Sequence, residues 1–83
     1  MYEVLVERQA QKQLAKIPPP YLKNISEAID NLRLNPRPTG YKKLKGNEGY
    51  RIRVANYRII YAIKDNVLLI LVLIIAHRKD VYE

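Results

Sequence analysis

The sequence predicts an α+β fold in the order β-α-α-β-β-β, a small antiparallel sheet of about four strands with two N-terminal helices packed on one face. Three observations predict it. Apolar and charged residues alternate at strand period at the N-terminus and again around residues 50–61; two stripes of helical period lie between residues 8 and 32; and Ala55-Asn56 and Asp65-Asn66 divide the C-terminal half into short apolar runs. With 83 residues the chain is expected to form one domain, 1–83.

Residues 2–7 set Tyr2, Val4 and Val6 against Glu3 and Glu7, the alternation of a half-buried strand. Residues 8–17 place Ala10, Leu14 and Ile17 on one helical face, and Pro18-Pro19-Pro20 ends that helix because proline lacks an amide donor and clashes with the preceding turn. From about Pro20 the stripe Leu22, Ile25, Ala28 or Ile29, and Leu32 predicts a second helix, stopped by Asn35-Pro36-Arg37-Pro38-Thr39-Gly40. Residues 41–49 are polar and basic and carry Gly46 and Gly49, so they read as a surface loop. Ala55-Asn56 suits a two-residue hairpin, with asparagine tolerating the left-handed backbone, and Asp65-Asn66 repeats the signal. The run Val67–Ala76 is apolar on both faces, as a central strand covered by helices would be.

Composition excludes several functions. No cysteine is present, which rules out disulfides and thiolate metal sites, and a single histidine makes a zinc centre a poor reading. We expect neither metal nor cofactor. The ten-residue run Val67–Ala76 is about half of a membrane span, and the N-terminus lacks the basic start of a secretory signal, so a cytoplasmic protein with no membrane partner is expected. The net charge is +7, and residues 33–58 account for all of it: Arg33, Arg37, Lys42, Lys43, Lys45, Arg51, Arg53 and Arg58 stand against Glu48 alone. Such clustering is the footprint of a polyanion binder, although a charge run is often only a solvated face.

Within that region, Tyr50-Arg51-Ile52-Arg53-Val54 alternates arginine with apolar residues, so Arg51 and Arg53 share one strand face, and Arg58 on the next strand is placed to join them. Guanidiniums fixed on a sheet present planar donor forks that suit phosphate. Lys42, Lys43 and Lys45 are expected to attract the phosphates of RNA or DNA without taking part in chemistry. Tyr50, Tyr57 and Tyr61 read better as core than as base-stacking rings.

The order of elements, with Leu44-Lys45-Gly46, Tyr50-Arg51-Ile52-Arg53, Tyr57-Arg58-Ile59-Ile60-Tyr61 and His77-Arg78-Lys79-Asp80-Val81-Tyr82, resembles the RelE/ParE toxin superfamily over nearly the whole chain. The resemblance implies a RelE-like fold and, in the RelE branch, cleavage of messenger RNA in the ribosomal A site, restrained by a RelB-like antitoxin. In the ParE branch it implies a gyrase poison without nuclease activity; a non-catalytic nucleic-acid-binding relative is the third possibility. It implies catalytic positions at Arg51, Arg53, Arg58, Arg78 and Tyr82. Two departures from the family pattern stand out: the strand pair is all arginine where lysines are common, and the chain ends at Glu83 without the C-terminal helix of some relatives.

RNA cleavage without a metal uses the ribose 2′-hydroxyl as nucleophile on its own phosphate and needs a base, an acid and a charge stabiliser. Arginine suits the last role and, with a pKa above about 12, not the first. The base is therefore open among Tyr82, whose phenolate nearby cations would favour, His77, the residue type whose charge changes near neutrality, and Glu48, the one carboxylate of the basic region.

Overall fold

The computed structural model describes residues 1–46 and 49–80. It contains β1 (Glu3–Val6), α1 (Arg8–Leu14), α2 (Pro19–Asn31), β2 (Lys42–Lys43), β3 (Gly49–Val54), β4 (Tyr57–Lys64) and β5 (Leu69–His77), with 3-10 turns at Asp65–Val67 and Arg78–Asp80. The strands form one sheet in the order β1-β5-β4-β3-β2. The α+β fold class and the two helices on one face hold. Two details differ: β1 joins β5 in parallel, making the sheet mixed, and Lys42–Lys43, expected in a loop, adds a short fifth strand by pairing with Tyr50 and Arg51.

Helix α2 begins at Pro19, a residue earlier than expected, because Pro18 stays extended before another proline and proline is tolerated where first-turn amides have no partner. Its stripe buries Ile25 and Ile29, and Leu32 follows just past the C-terminus; they meet Ile52, Ile59, Tyr61, Ile70, Val72 and Ile75 of the sheet. Each such side chain removed from water contributes about 1.5–3 kcal/mol.

A bulge decides which residues of β5 reach that core. Ile60 pairs with Ile74 but Tyr61 pairs with Val72, so Leu73 is the extra residue. Ile70 and Val72 before the bulge and Ile75 after it therefore all face the helices. Strand β1 pairs with β5 only as far as Val72, and beyond it the Ile75 amide donates to Gln13 Oε1 of α1 at 2.7 Å. A helix side chain takes over where the neighbouring strand ends.

The turns depart from the expected chemistry. At the β3–β4 hairpin the positive φ falls on Ala55 (54°), not on Asn56, and Asp65-Asn66 opens a 3-10 turn that leaves Leu68 left-handed at φ 52°.

Candidate functional site

Because Ile52 lies in the core with Tyr50 and Val54 packed against it, alternation sends Arg51 and Arg53 to the face the helices leave open. Ile59 and Tyr61 do the same for β4 and turn Arg58 to that face. Arg53 and Arg58 are direct cross-strand partners, and Lys42 of β2 stands opposite Arg51. Cross-strand partners have Cβ atoms about 5 Å apart, so like charges there repel unless an anion lies between them. Arg53 is exposed and Arg58 half-buried, its Nε sealed from solvent, whereas Arg51 is only 3% exposed and is engaged within the protein. The Arg78 amide donates to the Asn56 carbonyl at 2.7 Å, which ties the backbone of exposed Arg78 to the hairpin that joins β3 and β4.

Other sequence candidates lie elsewhere. Lys43, opposite Tyr50, is on the helix face, where it lines a cleft with Tyr50, Lys64 and Asp65; Lys45 is exposed in the following turn. His77 pairs with Tyr57 and shares its helix-facing side, with ring centroids 5.3 Å apart. Glu48 and Tyr82 lie outside the described residues. Two cations of the basic region are tied elsewhere. Arg37 binds Asp65 at 2.9 Å, is held more basic by that carboxylate and lies 5.5 Å over the Tyr50 ring, while Arg33 meets Asp30 at 3.4 Å. Arg37 and the Tyr2 hydroxyl, 2.6 Å from Asp65, lower the Asp65 pKa.

The tyrosines behave as core. Tyr61 is fully buried, donates to the Pro36 carbonyl at 2.7 Å and has its pKa pushed up to about 12, chiefly by burial; Tyr50 stacks on it at 6.0 Å. Among the described residues no group of three or more His, Cys, Asp or Glu is placed to hold a metal ion.

Sequence reasoning missed the apolar floor beside the arginines. Ile60 and Ala62 of β4, Leu71 and Ile74 of β5 and Leu5 of β1 share the open face, and Leu5 is 49% exposed. The signal was in the sequence: β5 is apolar on both faces, while the two helices can cover only one.

A family model described as the ParE toxin of a type II toxin–antitoxin system matches residues 4–82. The chain belongs to this RelE/ParE family of type II toxin–antitoxin toxins. Similar proteins within it include several named RelE. A Methanocaldococcus jannaschii protein named as a candidate toxin, RelE1, is 31% identical over 99% of this chain and 96% of its own length. The archaeal RelE–RelB complex from Pyrococcus horikoshii OT3 is similar at a TM-score of 0.85 and 28% identity, covering 96% of this chain and 98% of that one. The RelBE2 complex of Mycobacterium tuberculosis is similar at 0.82 and 28%, covering 93% and 98%.

Proposed function

We propose that this toxin is a ribosome-dependent mRNA endoribonuclease that works without a metal or other cofactor. The observation that carries the reading is the register pair Arg53–Arg58 on the open sheet face, with Arg78 tied to the adjoining hairpin. In the reaction the 2′-oxygen bonds to phosphorus and the bond to the 5′-oxygen breaks, leaving a 2′,3′-cyclic phosphate and a free 5′-hydroxyl. The 2′-hydroxyl proton goes to a base, and a proton reaches the departing 5′-oxygen. Arg53, Arg58 and Arg78 receive the charge that gathers on the non-bridging oxygens, each worth roughly 3 kcal/mol in the transition state. Arg51, buried on the same face of β3, adds field and anchors the strand. Tyr82, four residues beyond Arg78, is the proposed proton-transfer group, and the ribosomal A site supplies the bent message that puts the 2′-oxygen in line.

Ribosomes and messenger RNA would then be its targets and the cytoplasm its compartment; no helix of the described residues is long and apolar enough to cross a membrane. A RelB-like antitoxin is the proposed restraint, its acidic groups on the arginines and its apolar side chains on the Ile60–Leu71–Ile74 floor. Cleavage of messages on translating ribosomes tests the reading. The wild type should cut, and Arg58→Ala and Arg78→Ala should each cut about 100-fold more slowly; equal cutting by both variants would show the site to be wrong.

The ParE-like reading is the alternative, supported by the description of the matching family model and by arginine, not lysine, at both positions of the strand pair, Arg51 and Arg53. It predicts double-strand DNA breaks through gyrase with messages left intact.

A further inference from the structure

We infer that His77 is a positioning residue: it holds the 3-10 turn that bears Arg78 and thereby sets where that arginine meets phosphate. Its consequence for cleavage rests on the nuclease reading above; its structural content does not. Strand β5 ends at His77, and the turn Arg78–Asp80 follows directly. A three-residue turn has almost no bonds of its own to hold it, since the first amides of any helical segment lack internal acceptors. Here both leading amides are taken from outside. The Arg78 N–H donates to the Asn56 carbonyl at 2.7 Å, and the Lys79 N–H donates to His77 Nδ1 at 3.3 Å.

The ring is itself held. It meets Tyr57 edge-on, with centroids 5.3 Å apart at 83°, and Tyr57 leans on Tyr21 of α2 at 5.9 Å. This column stands on the helix side of the sheet, away from Arg53 and Arg58, so the imidazole does not reach a phosphate bound on the open face. It acts through the backbone of the next two residues. Accepting at Nδ1 requires the tautomer with its proton on Nε2.

Two substitutions separate the acceptor from the ring. His77→Phe keeps the packing on Tyr57 and removes the acceptor, whereas His77→Asn puts Oδ1 close to where Nδ1 lies and removes the ring. Amide exchange at Lys79, followed by NMR, reads the turn without substrate; kcat and KM on ribosome-bound message read its effect. His77→Phe should speed Lys79 exchange about tenfold and lower kcat about tenfold with KM nearly unchanged, and His77→Asn should restore both, as loss and return of one hydrogen bond predict. Unchanged Lys79 exchange in His77→Phe, or His77→Asn behaving like His77→Phe, would overturn the inference. So would faster exchange with wild-type kcat. A wild type that cuts no message would sink the nuclease reading, and the exchange comparison would still decide the role of His77 in the turn.

Discussion

At the scale of single residues, strand alternation made the arginine row legible, because a period of two puts Arg51 and Arg53 on one face without knowledge of the fold, whereas Arg58 joins them through the hairpin register. Alternation did not say how deep each would lie. Arg51 is buried and Arg53 exposed although they share a face, since β2 flanks β3 only at Tyr50 and Arg51. Arg53→Ala should therefore lose cleavage about 100-fold with little change in melting temperature, while Arg51→Ala should also lower the melting temperature, because the packing of a buried arginine stem is lost with it. Activity and thermal melts on both variants check this. Tyr61 gives a pH prediction. Folding raises its pKa from 10.0 to about 12, so its contribution is complete below pH 10 and is lost as the pH climbs through about 12. About 2 to 3 kcal/mol should go over that interval. Urea midpoints at pH 9 and pH 12 should differ more in the wild type than in Tyr61→Phe.

At the scale of elements, the helices, hairpin and last strand were legible because periodicity and proline placement are local. What was not legible depended on partners distant in sequence. The parallel seat of β1 beside β5 needs both strands, and the bulge at Leu73 needs the Tyr61–Val72 register, so no local pattern announces either. The Gln13 bond to Ile75 follows from where β1 stops. Gln13→Leu leaves that amide without an acceptor and should cost about 1–3 kcal/mol in chemical denaturation. Asparagine was expected to take the left-handed turn position; Ala55 and Leu68 take positive φ instead. Glycine at Leu68 would relieve about 1–2 kcal/mol of strain against roughly 0.5–1 kcal/mol of added chain entropy, so Leu68→Gly should raise the urea midpoint slightly.

At the scale of the whole molecule, the cations of residues 33–58 are not all presented together: Arg37 is paired with Asp65 and Lys43 lies on the helix side, while Arg53 and Arg58 stand on the open face. The location of the excess was visible in the sequence; the pairing that removes Arg37 from it was not, because Asp65 lies 28 residues away. If about three open-face cations contact phosphate, single-stranded RNA affinity should fall with a log–log salt slope near −2, and a flat response would count against the interface. The central claim is cleavage of the message on the ribosome, and the most direct test is to induce the protein and map RNA 5′ ends against ribosome position. New 5′-hydroxyl ends should appear within the A-site codon and be lost with Arg58→Ala. Intact messages accompanied by double-strand DNA breaks would contradict it.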